Sequence, residues 1–308
     1  MRFSIIAPVI AFTVIGGLTP VFGKLAVNEL PWMSFAWMRF GTAGVLLAVT
    51  ARLLGKRLPL TGRNLAAFVG LGALCVPINQ AGFLLGLKLA GASHAGIFYA
   101  LNPILVFAGA LLLGQARFRA DILIASLLAI GGAVAVTLSA NPSSTSPVGG
   151  SMVPGDLLLL LAVASWSAFS VLSRPLIRRY GAIETLCTVF LLGALLHTPL
   201  ALRDIARFDP SAVTARGWIG AAYLTLVTSY INYMLWYWVI ARHDITRVAV
   251  VTNCHFLVTV SVSTVVLHEP VGALFAIGCV LMLCGVMLAT RPAARRRPQP
   301  AHPVPRCP

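Results

Sequence analysis

Residues 140–155 read Ala-Asn-Pro-Ser-Ser-Thr-Ser-Pro-Val-Gly-Gly-Ser-Met-Val-Pro-Gly, an uncharged segment at the middle of a chain of 308 residues. Its serines, prolines and glycines are typical of a linker rather than of a helix or a strand. The chain is strongly apolar on both sides of this segment, since 58% of all residues are hydrophobic and only 10% are charged. A soluble domain of this length does not have that composition, so both halves are predicted to lie in a membrane.

Five apolar segments precede the linker and five follow it. They cover residues 4–22, 34–54, 64–87, 92–114, 120–139, 156–173, 184–202, 217–240, 247–267 and 271–290. Each is about 17–25 residues long, which as a helix crosses roughly 30 Å of hydrocarbon. Helices satisfy their own backbone hydrogen bonds and are therefore the expected form of these segments in lipid. The predicted fold class is an all-α integral membrane protein with ten transmembrane helices.

The two halves share residues at a nearly constant offset. Ile78-Asn79 in the third segment recurs as Ile231-Asn232 in the eighth, 153 residues later, and Leu113-Gly114-Gln115 recurs as Leu267-His268-Glu269, 154 residues later. These matches indicate an internal duplication. Because each half has an odd number of spans, the second half must enter the membrane from the opposite side. We therefore expect two inverted five-helix repeats, an arrangement found in many secondary transporters.

The lysines and arginines are distributed unevenly over this topology. With the N-terminus in the cytoplasm, 17 of the 23 Lys and Arg lie on the cytoplasmic side, five lie outside and Arg39 lies within the second segment. This asymmetry predicts that both termini are cytoplasmic and that the linker is outside. The net charge of +15 is explained by this topology. We expect no nucleic-acid partner, because no basic face carries interleaved aromatic rings.

The predicted organisation has four parts. They are a first repeat at 1–139, the outer linker at 140–155, a second repeat at 156–290 and a basic cytoplasmic tail at 291–308. We expect the tail, which is rich in Pro and Arg, to be disordered and to lie near anionic lipid headgroups.

Several short motifs connect the chain to a known family. They are Pro31 with Trp37-Met38-Arg39-Phe40, Asn102-Pro103, Gly155-Asp156 with Ser165-Trp166, and Leu267-His268-Glu269. In these features the chain resembles the EamA-type family of the drug/metabolite transporter superfamily over residues 4–290. The resemblance implies a ten-helix carrier of the bacterial inner membrane with a central substrate cavity, often an exporter of amino acids or other metabolites. Gly16 departs from the pattern, since the first repeat of that family often has Trp there.

Polar and aromatic residues deep in the apolar segments are the candidates for contact with a substrate, because polar groups in lipid normally face the bundle interior. The predicted substrate-binding residues are Asn79, Tyr99, Asn102, Trp166, Tyr230, Tyr233 and His255. The alternative is packing: the amides would hydrogen-bond between helices, and Trp166 would be a core residue. For His255 a neutral packing histidine is the favoured interpretation.

Charged residues inside the apolar segments are few. Arg39 is placed near the outer end of the second segment, where snorkelling to the interface explains it, and attraction of an anionic group is the alternative. All eight acidic residues fall in loops or at segment ends. The absence of a carboxylate at mid-depth argues against a proton-coupled exporter of cationic drugs. It favours neutral, zwitterionic or anionic metabolites.

The predicted function is a secondary transporter that exports or exchanges small metabolites, such as amino acids, by alternating access. A lipid flippase and a proton-coupled drug exporter remain as alternatives. An enzyme is not expected, because no nucleophile with its base and no metal-spaced set of ligands is present in the sequence. No cofactor or metal is expected, since the six cysteines lack Cys-x-x-Cys spacing. The expected partners are the metabolite and membrane lipids, and a homodimer is left open.

Overall fold

The computed structural model describes residues 3–59, 64–90, 95, 98–139, 153–206, 208–242, 248, 250, 254, 255, 258 and 273–290. In these ranges the chain forms helices and turns, and none of these residues belongs to a β-strand. The all-α class predicted from the sequence is confirmed for this part of the protein.

The helices are numbered here in chain order. They are α1 (Phe3–Glu29), α2 (Trp32–Leu53), α3 (65–90), α4 (Asn102–Leu112), α5 (Ala120–Ser139), α6 (Val153–Tyr180), α7 (Ala182–Ile205), α8 (215–242) and α9 (Ala273–Thr290). Thus α9 is the tenth apolar segment. The described residues of the ninth segment are Val248, Val250, Cys254, His255 and Val258, and each of them is helical.

The predicted linker and tail fall largely on residues 140–152 and 291–308, which lie outside the described part of the chain. The helix α6 begins at Val153, before the predicted boundary at residue 156. Pro154 is compatible with this start, because the first turn of a helix needs no N–H partner at that position.

Five helices are long and apolar enough to cross a membrane by length and composition, namely α1, α2, α3, α6 and α7. Shorter apolar stretches occur in α4, α5 and α9. Large hydrophobic side chains are exposed on the outer faces of the bundle, among them Val45, Leu195 and Met287. A soluble monomer rarely exposes so much apolar surface, whereas lipid accommodates it. These features are typical of a multi-pass membrane protein.

Both α3 and α8 contain π-helical turns. In α3 these are Leu74–Ile78 and Ala81–Leu85, and in α8 the π-helical segment is Tyr223–Asn232. Pro77 lies within the first of them, and because it lacks an N–H and crowds the preceding turn, it cannot fit a regular α-helical ladder. The π-helical turns reach the two recurring Ile-Asn pairs of the sequence. Such turns are rare and are frequent at functional sites.

The helices pack in a defined set of pairs. The most extensive contacts join α5 to α9 and α2 to α7. In addition, α3 packs against α6 and α7, α8 packs against α1 and α2, and α4 packs against α6. The inner faces of α2, α3, α6 and α8 therefore meet inside the bundle, and they position the candidate site.

The α5–α9 contact is made by two glycines in reciprocal positions. A Cβ on Gly132 would lie 2.6 Å from the carbonyl oxygen of Gly278, and a Cβ on Gly285 would lie 2.7 Å from that of Ala125. Positions 132 and 285, like positions 125 and 278, are separated by the 153-residue offset found in the sequence. Small residues let membrane helices approach closely.

Candidate functional site

Arg39 lies inside the helix bundle, with only 3% of its surface exposed. Its Nε donates a hydrogen bond to Ser229 Oγ in α8 at 2.5 Å, and its Nη1 donates to Gln80 Oε1 in α3 at 3.4 Å. The guanidinium also lies 5.0 Å from the centre of the Phe40 ring. The interpretation of Arg39 as a snorkelling residue is therefore wrong: its side chain points inward and joins α2 to α3 and α8.

The hydrogen bonds continue from Gln80 along α3 and across to α6. Gln80 Nε2 donates to Asn79 Oδ1 at 2.7 Å. Asn79 Nδ2 in turn donates to the carbonyl oxygen of Ala162 at 2.8 Å and to Ser165 Oγ at 3.4 Å. All of these side chains are buried. We call this group the central polar network, and its members are Arg39, Asn79, Gln80, Ser165 and Ser229.

Two predicted site tyrosines lie beside this network. Tyr99 lies near Asn79, and its ring packs edge-on against Phe83 at 5.5 Å. Tyr99 and Tyr233 both lie near the Arg39 guanidinium. The structure thus brings Asn79, Tyr99 and Tyr233 together around a residue that the sequence analysis had placed at the membrane surface.

An aromatic cluster adjoins the network. Its members are Phe12, Phe40, Trp166, Phe190, Tyr233, Trp236 and His255. Ring centres are 5.3 Å apart between Tyr233 and Trp166 and 6.3 Å apart between Trp166 and Trp236. Phe12 extends the cluster, lying 5.0 Å from Trp236 and 4.7 Å from His255. Three predicted site residues, Trp166, Tyr233 and His255, therefore belong to one aromatic cluster.

The position of His255 depends on Gly16. A Cβ on Gly16 would lie 2.5 Å from ring atoms of His255, so any side chain at position 16 would displace the imidazole. This contact gives a physical reason for the departure from the family pattern at Gly16. A tryptophan there and the observed placement of His255 exclude each other.

Two predicted site residues have their contacts elsewhere. Asn102 Oδ1 accepts a hydrogen bond from Ser167 Oγ at 2.9 Å, which joins α4 to α6. The Tyr230 hydroxyl forms a hydrogen bond with Thr50 Oγ1 at 2.7 Å, near the C-terminal end of α2. Neither side chain is hydrogen-bonded to the central polar network within the described ranges. The contact of Asn102 is the one expected from its packing alternative.

Gln80 and Ser229 are members of the network that the sequence analysis did not select. Ser229 carries no usable signal, because serine is common in membrane helices and hydrogen-bonds locally. Arg39 did carry a signal in the sequence, since it follows Pro31 by eight residues. At a rise of about 1.5 Å per residue, that spacing places it roughly 12 Å along the helix, deeper than an interfacial residue.

The carboxylates of the described residues lie away from Arg39. Glu184 pairs with Lys56 at 3.0 Å, Asp121 pairs with Arg119, and Glu29 accepts a hydrogen bond from the backbone N–H of Thr214 at 2.7 Å. In the part of the chain that the structure describes, Arg39 forms no ion pair. Those residues also include no group of three or more His, Cys, Asp and Glu that could hold a metal.

A helical bundle with lipid-compatible faces, a buried polar network and an adjoining aromatic cluster is a combination that membrane transporters use. The chain belongs to the EamA-like transporter family, whose sequence pattern matches residues 4–138 and 153–291. The resemblance drawn from the sequence motifs is thereby confirmed.

Relatives with similar sequences carry transporter names. YetK of Bacillus subtilis (strain 168), an uncharacterized transporter, is 25% identical and aligns over 88% of this chain and 82% of its own length. An uncharacterized transporter of Archaeoglobus fulgidus is 27% identical over 88% of this chain and 91% of its own. A probable terminal-alkyne amino-acid exporter of Streptantibioticus cattleyicolor is 26% identical over 86% of each chain.

A solved crystal structure has the same fold. It superposes with a TM-score of 0.74 and covers 94% of this chain and 97% of the other, at 21% sequence identity.

Proposed function

We propose that the protein is a secondary transporter of ten spans, arranged as two inverted five-helix repeats, that exports or exchanges small metabolites by alternating access. The observation that carries the proposal is the central polar network. In this network two residues of the first half are hydrogen-bonded to residues of the second half: Arg39 to Ser229, and Asn79 to Ser165. Inverted-repeat transporters bind their substrates where the repeats meet, often beside irregular helices. The π-helical turns of α3 and α8 adjoin the network in this way.

The pairing of helices supports the inverted repeat. An axis that exchanges the first five segments with the last five would pair α2 with α7 and α5 with α9, and these are the most extensive contacts. It would also relate the α3–α7 contact to α8–α2, and the α3–α6 contact to α8–α1, all of which occur. The reciprocal glycines of α5 and α9 and the match of the family pattern to both halves agree with this arrangement.

Small organic metabolites, with amino acids foremost, are the proposed substrates. The network supplies fixed polar groups, and the aromatic cluster supplies an apolar wall, a combination typical of sites for small organic molecules. The amino-acid exporter among the relatives supports this choice. Export of cationic drugs is disfavoured, because the described centre contains the positive charge of Arg39 and no carboxylate. The excess of Lys and Arg on one side supports a plasma-membrane location with cytoplasmic termini.

Counterflow in proteoliposomes tests the proposal. Vesicles containing the purified protein are loaded with an unlabelled metabolite, and uptake of the labelled form is measured across amino acids, organic acids and nucleosides. Transient accumulation of at least one compound, absent from protein-free vesicles, is the expected result. If no metabolite accumulates while a labelled phospholipid changes leaflet in a protein-dependent manner, the flippase alternative replaces the carrier.

A further inference from the structure

We propose that Arg39 binds the carboxylate of the transported molecule, and that the substrates are amphipathic carboxylates with a second hydrogen-donating group near Asn232. The inference rests on the proposed function and names the substrate class of the same site. For Arg39 it takes up the alternative given in the sequence analysis, attraction of an anionic group, in place of snorkelling. Four features of the described residues carry it: an uncompensated charge, an ordered set of supports, two unpartnered polar atoms and an adjoining aromatic cluster.

The charge of Arg39 has no counter-ion in the described part of the chain. A buried guanidinium is costly unless it is paired with an anion or fully hydrogen-bonded. The hydrogen-bond partners of Arg39 in that part are neutral, the Ser229 hydroxyl and the Gln80 amide oxygen, and they are bound by Nε and Nη1. A guanidinium presents its remaining donors in a planar fork that matches a carboxylate. A ligand carboxylate is therefore the group that this environment lacks.

The supports of Arg39 hold it in a defined orientation. Asn79 Nδ2 is anchored on the backbone carbonyl of Ala162, so Asn79 Oδ1 is free to accept from Gln80 Nε2. Gln80 must then present its oxygen to Arg39, and it does so. The backbone carbonyl of Ala162 fixes the orientation of the Asn79 amide, and the Asn79 amide in turn fixes that of Gln80. A site whose charged group is fixed in advance loses less entropy when it binds a ligand.

Two polar atoms of α8 continue the site beyond Ser229. Asn232 Oδ1 and Trp236 Nε1 are buried and have no hydrogen-bond partner among the residues that the structure describes. They follow Ser229 by three and seven residues, a spacing that places them on the same side of a helix. Asn232 Oδ1 is an acceptor, so an ammonium or another N–H of the ligand would satisfy it. Buried polar atoms of this kind normally have partners, which a bound substrate would supply.

The buried rings of the aromatic cluster are the apolar groups next to Arg39 that the rest of the ligand would contact. Tyr233 lies between the two parts, since it is near Arg39 and packs edge-on against Trp166 at 5.3 Å. Trp236 belongs to the same cluster. A molecule with its carboxylate at Arg39 and an apolar side chain against these rings fits the chemistry of the site. Apolar α-amino acids have this form.

A matched set of probes tests the assignment by thermal unfolding of the purified full chain. The probes are L-leucine, L-leucinamide, 4-methylpentanoate and isoamylamine, together with three acid and amide pairs: benzoate and benzamide, lactate and lactamide, and L-phenylalanine and L-phenylalaninamide. We expect at least one acid to raise the unfolding temperature of the wild type while its matched amide does not. Arg39→Gln should weaken that binding at least about tenfold, the size expected for losing a charge-assisted pair. Arg52→Gln, an exposed arginine of the same helix, should leave it unchanged.

The outcomes separate the substrate class from the transport function. Equal stabilisation by acids and amides, stabilisation that survives Arg39→Gln, or no effect of any acid would overturn the carboxylate assignment. If Arg39→Gln does not fold, Ser229→Ala keeps the charge and should weaken acid binding while leaving amides without effect; unchanged acid binding in that variant also counts against the assignment. Counterflow of a nucleoside that is unaffected by Arg39→Gln would preserve the carrier and reject this inference. If acids bind but no metabolite shows counterflow, the carboxylate site is supported and the proposed transport function is rejected.

Discussion

Arg39 Nε and Ser229 Oγ are 2.5 Å apart, and this hydrogen bond links a buried cation of the second helix to the π-helical segment of the eighth. The two residues are 190 positions apart in the sequence. The bond therefore couples the two halves of the chain at the place where the central polar network meets the aromatic cluster. If α2 moves relative to α8, this hydrogen bond must break; it persists only if the two helices move together.

Ser229→Ala should destabilise the protein by about 1.5–3 kcal/mol, the usual cost of leaving a buried charged donor without its acceptor. The free energy of unfolding in detergent, measured with a denaturant, checks this value. Ser229→Thr retains the hydroxyl and should recover most of the loss. If alanine and threonine behave alike, the hydroxyl is not a significant partner of Arg39.

Gln80→Glu should abolish binding of carboxylates without unfolding the protein. The new carboxylate has the shape of the amide and would lie within reach of Arg39 Nη1, where it would neutralise the guanidinium. We expect acid binding to fall at least about tenfold and the unfolding temperature to stay the same or rise. Gln115→Glu is the matched control, because Gln115 contacts the backbone of Val171 at the end of α4, away from the network. Unchanged acid binding in Gln80→Glu would show that Arg39 does not bind the ligand carboxylate.

The close approach of α5 and α9 can be tested with adjacent glycines. Gly132→Ala would place a Cβ 2.6 Å from the carbonyl oxygen of Gly278, so the helices must separate, at a cost of roughly 1–3 kcal/mol. Gly131→Ala meets nothing within 4 Å and should be neutral or stabilising by up to about 1 kcal/mol, because alanine favours helix. Gly285→Ala, the counterpart of Gly132, should cost as much as Gly132→Ala. Unequal losses at the two positions would argue against a symmetric contact.

The sequence predicted the features that depend on composition and period, and it missed those that depend on tertiary contacts. Apolar length predicted helices, and the recurring Ile-Asn pairs predicted related positions in α3 and α8, both of which contain π-helical turns. The orientation of a side chain around a helix is set by its neighbours, however. For this reason Ser229 was not selected at all, whereas Arg39 was placed at the surface although its spacing from Pro31 indicated greater depth. Asn102 was selected for its depth, but depth does not distinguish a ligand contact from its hydrogen bond to Ser167.

The topology prediction concerns residues outside the described part of the chain. In a variant without native cysteines, Ser144→Cys in the linker should react with a membrane-impermeant maleimide added to intact cells. Lys56→Cys, which follows α2 on the predicted cytoplasmic side, should react only after the membrane is opened. The reverse pattern would invert the orientation, and equal reactivity of both positions would contradict the number of spans between them.

Energy coupling is predicted to involve no carboxylate at mid-depth. The acidic residues with described ion pairs or hydrogen bonds lie at helix ends or in loops, as Glu29, Asp121 and Glu184 do. Substrate binding should therefore change little around pH 4–5, where an unperturbed carboxylate titrates. Uniport or exchange is the expected mode, and substrate should drive no proton flux into proteoliposomes that contain a pH-sensitive dye.

If proton flux is observed, His255 is the first group to test, because it is the described histidine whose ring packs within the aromatic cluster, 4.7 Å from Phe12. His255→Gln should then abolish the flux while uptake down the substrate gradient continues. The matched control is His197→Gln, since His197 contacts the backbone of Met33 between α7 and α2, outside the cluster. Flux that survives His255→Gln would exclude that histidine. It would direct attention to Glu269, which lies outside the described residues, at the predicted outer end of the ninth segment.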